Sequence, residues 1–366
     1  MHPHAPIGHG LLPGIDRIAV LRANAIGDFI ATLPALTALK AAYPAAEIVL
    51  LARDWHAEFL RDRSSPVDRV IPVPCSEGVR DDGPPVSPDQ LDRFFEAMRR
   101  ERFDLAVQLH GGGRYSNPFV RRLGARVAIG LQAEDAPPLD RVVPYRHQHH
   151  EVLRYLEVVA LAGAPPVGIE PRIAVTRADR DEAADVVPHD DLPMVAIHLG
   201  AIDPRRRWPV DSFAQVARAL TDMHACVVVT GGDADRRLAD RLARATARTV
   251  TCVAGRLSLG GTAALFERCR LVISNDSGPL HLAAAVGAAT VGIYWAVNLI
   301  SMGPPTRTRH RPLVSWALAC PVCGADCLRD RCGHDASLVA DVPVDAVLAE
   351  VVDLLGRSEP RPVLTG

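Results

Sequence analysis

The chain has no surplus of charge of either sign: 41 Lys and Arg stand against 43 Asp and Glu in 366 residues, a net of −2. Without a global basic field it is not expected to take a nucleic-acid partner. There is no low-complexity tract, because its 30 prolines and 27 glycines are scattered. There is no short-period internal repeat, no P-loop and no Gly-x-Ser-x-Gly elbow. A nicotinamide fingerprint is also missing. Gly8-His9-Gly10 precedes its strand instead of following it, and Gly111-Gly112-Gly113 lacks the full spacing. Residues 1–14 carry His, Pro and Gly with no long apolar core, so they do not read as a signal peptide. The most apolar stretch, 280–300, is punctuated by Gly287 and Gly292. It reads as a helix followed by a buried strand, not as a membrane span. A cytoplasmic protein is expected, with peripheral contact at the inner face of the cytoplasmic membrane left open.

What is present is enough for two domains, with 48% hydrophobic residues to fill their cores. Residues 17–22 read as a strand and 29–43 as a helix. Pro34 is tolerated in a first turn, which puts the helix start near 31–33 and leaves Gly27 and Asp28 in the preceding loop. Residues 47–52, 69–73, 104–109 and 126–131 read as further strands with helical segments between several of them, the alternation of a mostly parallel sheet. The pattern breaks at 164–168 and again at 188–193. The region between reads as a linker with one short strand. A second series follows, with strands at 194–199, 225–230, 249–254, 271–274 and 290–294 and a last amphipathic helix at 344–355. The expected domains are 15–165, a linker at 166–193, 194–342 with a Cys-rich segment at 320–334, and a terminal helix at 343–358.

Two segments carry the chemistry. Leu21-Arg22-Ala23-Asn24-Ala25-Ile26-Gly27-Asp28 and Asn275-Asp276-Ser277-Gly278-Pro279-Leu280-His281 each follow an apolar run and precede a helical pattern. They are loops at the carboxyl ends of strands, where open α/β sheets bind ligands, and one per half suggests two sheets facing across a cleft. Asp28 can cap its helix or act as a base, and Gly27 permits close backbone approach. At Ser277 and Gly278 a helix start offers backbone N–H groups to an anion such as a nucleotide diphosphate. Asp276 would not bind phosphate; it can hold the loop, cap the helix or meet a sugar hydroxyl. His281 lies one turn further on, within reach of a phosphate or as an ordinary core residue. Arg205-Arg206-Arg207 follows the strand at 194–199, where guanidinium groups could neutralise a pyrophosphate or simply face solvent. Asp233 and Asp235 end the next strand, where an acidic residue can accept from ribose hydroxyls.

Four of the eight cysteines fall at Cys320, Cys323, Cys327 and Cys332, with His334 close by. Thiols this dense could hold a structural zinc or an iron–sulfur cluster. They could equally remain reduced or pair occasionally, disulfides being disfavoured in a reducing cytoplasm.

At these residues the chain resembles glycosyltransferase family 9, the ADP-heptose:lipopolysaccharide heptosyltransferases and their relatives. The Gly27-Asp28…Pro34 and Asn275-to-His281 segments carry the resemblance, with Asp104-to-His110 and Arg206-Arg207-Trp208-Pro209 between them in the right order. It implies an α/β fold of GT-B architecture with two Rossmann-like domains, the carboxyl-terminal one holding the nucleotide sugar, and an inverting transfer that needs no metal cofactor. By resemblance Asp28 is the general base. Gly27, Arg206, Asp235, Leu257, Asp276, Ser277, Gly278 and His281 are the donor-binding residues, Leu257 near the adenine and Asp235 near the ribose. Arg206 stands where the family usually has lysine, and Ala201 and Ile202 where hydroxyl residues are frequent, which bears on donor preference.

The implied partners are a nucleotide-sugar donor, an ADP-sugar favoured, and a saccharide or glycolipid acceptor. The implied reaction is a single displacement at the anomeric carbon. A carboxylate is a weak base but ionised at neutral pH, and it need act only as the acceptor hydroxyl bonds to carbon. Acceptor contacts are expected from 114–122 and 146–151. A nucleotide-sugar epimerase or hydrolase of the same fold, or a non-catalytic sugar-nucleotide or metal-binding protein, is the alternative.

Overall fold

A computed structural model describes residues 10–188 and 192–356. Gly8 and His9, residues 189–191 of the expected linker and residues 357–358 of the expected last helix lie outside the described residues. The chain divides into two compact units, Met1–Pro171 and Arg172–Gly366.

The strands of the first unit are β1 (Arg17–Leu21), β2 (Glu47–Ala52), β3 (Arg69–Pro72), β4 (Leu105–Gln108), β5 (Val127–Gln132) and β6 (Arg141–Pro144). They form one sheet in the order β3-β2-β1-β4-β5-β6, parallel throughout. The central strands are apolar almost end to end because both faces are covered: Ile18, Val20, Leu21, Val49, Leu51 and Val107 are fully buried. The helices are α1 (Ile26–Ala42), α2 (Asp54–Leu60), α3 (Pro88–Arg100), α4 (Ser116–Arg121) and α5 (Glu151–Ala160).

The start of α1 differs from the sequence reading. The helix opens at Ile26, so Asp28 lies in its first turn and Pro34 deep inside it. An interior proline costs a helix about 3 kcal/mol in isolation. Here Phe29, Ile30, Leu33, Leu36 and Leu39 are buried, and their packing overrides the local penalty. An acidic residue in the first turn also suits the helix dipole.

The second unit repeats the plan. Its strands are β7 (Met194–His198), β8 (Cys226–Thr230), β9 (Thr251–Cys252), β10 (Leu271–Asn275), β11 (Ala289–Trp295) and β12 (His310–Ser315). The order is β12-β11-β10-β7-β8-β9, again all parallel. The helices are α6 (Arg177–Val186), α7 (Val210–Asp222), α8 (Arg236–Ala245), α9 (Leu259–Arg268), α10 (Gly278–Ala285), α11 (Ala296–Met302) and α12 (Val344–Gly356). Its core gathers Val195, Ile197, Phe213, Val229, Ile273 and Val291. The segment expected to be a linker with one short strand contains α6 instead. A capping box at Thr176 and Asp179 starts that helix, which packs against α9.

Read in chain order, both sheets have the doubly wound 3-2-1-4-5-6 arrangement. Each therefore has a switch point where the winding direction reverses, between β1 and β4 and between β7 and β10. Ligands of open α/β sheets bind beyond the carboxyl ends of the strands at that point.

Candidate functional site

At the switch point of the first unit, Arg22 leaves the end of β1 with only 3% of its side chain exposed. Its Nη2 donates to Asp28 Oδ1 at 2.8 Å and its Nη1 to the Leu109 carbonyl at 2.5 Å. Glu151, the first residue of α5, stands 3.8 Å from the same guanidinium, and the Tyr155 ring lies beneath it at 5.1 Å. The Tyr155 hydroxyl donates to Glu151. Burial works against the Arg22 charge. Tyr155, Asp28 and Glu151 outweigh it and hold the guanidinium above its ordinary pKa. Asp28 does not spend its carboxylate on capping. One oxygen is fixed by Arg22, and the side chain is 36% exposed, so the acid is held at one end and open at the other.

Two buried histidines neighbour this group. His110 Nδ1 accepts from the Ala23 amide at 3.2 Å. Burial first, and then the Arg22 charge, push it down to about 4. Burial pushes His56 down to about 3. Both are neutral at pH 7 and add no positive charge beside Asp28.

The loops expected to meet an acceptor also have definite structure. Arg114, Tyr115, Phe119 and Arg122 line a cavity of about 460 Å³ with Leu91 and Phe95. The 146–151 loop is stitched to α5 by buried Arg154, which takes the carbonyls of Arg146 and His149.

At the switch point of the second unit, Asp276 follows β10 and is almost fully buried, its side chain 3% exposed. Oδ2 accepts from Arg206 Nη1 at 2.9 Å, and Oδ1 lies 3.3 Å from His281 Nε2. Asp276 thus orients one cation and one imidazole at the start of α10. Ser277 is the N-cap and gives that helix no side-chain cap bond; its hydroxyl lies 3.1 Å from Ser274 Oγ. Gly278 opens the helix and Pro279 follows. Pro279 has no N–H, and the Leu280 and His281 amides are taken by the Ser277 carbonyl, so the Gly278 amide is the first-turn donor left for an anion, at the positive end of the helix dipole. Such a turn with a guanidinium and an imidazole beside it can bind a phosphate.

Only one of the three loop arginines faces this turn. Arg205 is engaged by Asp203 at 2.7 Å and Arg207 by the Ala201 carbonyl at 2.9 Å. Asn275 fixes the loop, accepting from the Trp208 amide at 2.8 Å and donating to the Leu199 carbonyl at 2.7 Å. Asp235 lies at the ends of β7 and β8. A Cβ on Gly200 would come within 2.5 Å of its carboxylate, and the Gly232 amide donates to it at 3.0 Å. Leu257 is half-buried in the turn before α9.

The sequence-selected residues thus fall into two groups. Gly27 and Asp28 share the first turn of α1. Arg206, Asp276, Ser277, Gly278 and His281 come together in the second unit. Arg22 and Glu151 were not singled out. A charged residue ending a buried strand, as Arg22 does, is the signal that could have found the first.

The cysteines group differently from the expected set. Ligand atoms of Cys320, Cys323, Cys332 and His334 all lie within 4.8 Å of one another. Cys327 is not among them: it is buried in the core of the second unit, and its thiol points to the Ala325 carbonyl at 3.6 Å. The turn at 320–324 sets this grouping. It brings Cys320 and Cys323 to one side, while the Cys327 amide pairs back to Leu318.

Two parallel six-stranded α/β sheets of this winding are the plan of the GT-B fold. Residues 91–320 match the model of glycosyltransferase family 9 (heptosyltransferase). The chain belongs to that family, and it is a glycosyltransferase. It is 26% identical to lipopolysaccharide heptosyltransferase 2 of Salmonella typhimurium over 294 residues, 76% of this chain and 82% of that one. Among solved structures it is similar to the glycosyltransferase family 9 protein of Veillonella parvula. The TM-score there is 0.76 and the identity 20%, with 96% of this chain and 99% of that one covered. It is also similar to the Escherichia coli heptosyltransferase WaaC with ADP. In that case the TM-score is 0.66 and the identity 19%, with 92% and 99% covered.

Proposed function

We propose that this glycosyltransferase moves a heptose or a related sugar from an ADP-sugar to a saccharide or glycolipid acceptor of the lipopolysaccharide core, with inversion and with Asp28 as general base. The observation that carries the donor half is the Arg206–Asp276–His281 group at the start of α10. Arg206, His281 and the Gly278 amide at the start of α10 would meet the charge that grows on the departing diphosphate, and Asp276 would keep both side chains aimed. The ADP in the WaaC structure and the names of the heptosyltransferase relatives favour this donor class.

Asp28 supports the acceptor half. Held on one oxygen by Arg22, it has the other free to accept the proton of a sugar hydroxyl as that hydroxyl bonds to the anomeric carbon. The attack comes from the face opposite the nucleotide, so the configuration inverts. The 114–122 cavity, with two arginines and an apolar wall, suits a charged saccharide carried on a lipid. Such an acceptor would bring the protein to the inner face of the cytoplasmic membrane. No helix among the described residues is long and apolar enough to cross one.

Calorimetric titration with ADP, UDP, GDP and dTDP tests the donor assignment. ADP is expected to bind in preference to the others. If none bound even at millimolar concentration, the donor site would be refuted.

A further inference from the structure

The segment between β12 and α12 contributes no group to the proposed transfer chemistry, yet it holds the most concentrated set of metal-ligating side chains among the described residues. Cys320 and Cys323 come from one tight turn. Gly324, in the left-handed region at φ +73°, closes it, its amide donating to the Cys320 carbonyl at 2.9 Å. The Cys320 amide in turn pairs with Ala325 O at 2.8 Å. Cys332 and His334 arrive from the other side of the segment.

A tetrahedral zinc with Zn–S of about 2.3 Å and Zn–N of about 2.0 Å sets sulfurs about 3.8 Å apart and sulfur to nitrogen at about 3.6 Å. Cys320 Sγ stands 3.8 Å from His334 Nδ1, and all four ligand atoms fit within 4.8 Å. Separations have to shrink by at most about 1 Å to close the set on an ion.

The same segment is tied to the loop that carries Arg206. Leu338 donates its amide to the Arg205 carbonyl at 2.7 Å, and Ser337 its hydroxyl to the Arg207 carbonyl at 2.7 Å. The residues on both sides of Arg206 are therefore held by the polypeptide that follows the cluster. Arg331, beside Cys332, pairs with Asp203 at 3.4 Å, and the Trp208 indole donates to Val342 O at 3.0 Å. Arg205, paired with Asp203 at 2.7 Å, keeps a buried Nη1 with no hydrogen-bond partner among the described residues.

We infer that Cys320, Cys323, Cys332 and His334 bind one zinc ion, and that the ion holds the Arg205–Arg207 turn so that Arg206 stays on Asp276. Binding displaces the three thiol protons to solvent. The ion takes no part in the sugar transfer; its role is positional. The link to donor affinity rests on the proposed donor site, and the metal site and the ordering of the loop do not.

The test uses the full chain purified with its thiols reduced. Elemental analysis is expected to find one zinc per chain. Removing it with a chelator should raise amide exchange across residues 201–208 and weaken ADP binding by about tenfold, the share of time the loop spends out of place. Added zinc should restore both. Cys332→Ser should behave like the stripped protein. In case that variant folds poorly, Arg331→Ala should keep its zinc yet show faster exchange at 201–208, because it removes the ion pair to Asp203 and no metal ligand. A reduced protein that neither carries zinc nor takes it up overturns the site. Zinc bound with identical exchange at 201–208 before and after stripping overturns the positioning role. If the zinc-loaded protein binds no ADP, the donor reading falls, while zinc content and exchange still decide this inference.

Discussion

Arg206 and Asp276 divide the work of one contact: the acid is buried and the cation reaches outward from it. A charge-assisted hydrogen bond to a phosphate contributes about 1.5–3 kcal/mol. Arg206→Ala should therefore weaken ADP binding by roughly ten- to a hundred-fold, measured by calorimetry. Arg206→Lys should lose less, since it keeps the charge but not the planar fork. Unchanged affinity in Arg206→Ala would remove it from the donor site. The sequence made the arginine run visible, but charge alone does not distinguish its three members. The choice of Arg206 came from resemblance, and its physical basis is that Asp203 and the Ala201 carbonyl occupy its two neighbours. The Asn275-to-His281 cluster was legible because five polar or glycine positions interrupt an apolar pattern at a strand end. The Arg22–Asp28–Glu151 group was not. Arg22 and Glu151 are 129 positions apart in the chain, and no local pattern announces their pairing. His334 escaped the expected ligand set for a related reason, since four cysteines already satisfy a tetrahedron on paper.

At the scale of elements, β10 and β7 hold their site through Asn275, which ties the Trp208 amide and the Leu199 carbonyl. Asn275→Ala would leave a buried N–H unpaired, at a cost of about 1–3 kcal/mol. We expect a lowered Tm together with weaker ADP binding. A variant of wild-type stability and affinity would show that Asn275 does not fix the loop. The central strands were readable because parallel strands buried on both faces are continuous apolar runs. The edge strands β6 and β12 were missed: their residues are largely half-exposed, and Pro144 and Pro312 fall within them. Helix α6 was missed because it buries only Ala183 and so shows no apolar stripe, although Thr176 and Asp179 spell its capping box. The start of α1 was misplaced because Pro34 was given a helix-start reading. Tertiary burial of the surrounding residues decides that position instead.

For the whole molecule, two buried histidines set an acid limit. His56 is held down to about 3 and His110 to about 4 by burial, against about 6.5 in an unfolded chain. Below about 6.5 the unfolded chain takes up protons that the native state refuses. The stability these groups contribute is whole above that pH and is lost as pH falls toward 4. Thermal melts should show Tm declining progressively from pH 6.5 to 4. A flat profile would contradict neutral burial of these rings. Two mostly parallel sheets could be read from the alternation of strands and helices. The identical winding of both sheets, which places the candidate residues at the two switch points, emerged only from strand order.

The central claim is that Asp28 is the base and that the second unit binds the donor without it. The most direct test is Asp28→Asn, assayed for sugar transfer from ADP-heptose to a lipopolysaccharide-core acceptor and titrated with ADP in parallel. The account predicts turnover lowered by about 10²–10⁴-fold with ADP affinity unchanged. Turnover equal to that of the unaltered protein would contradict it.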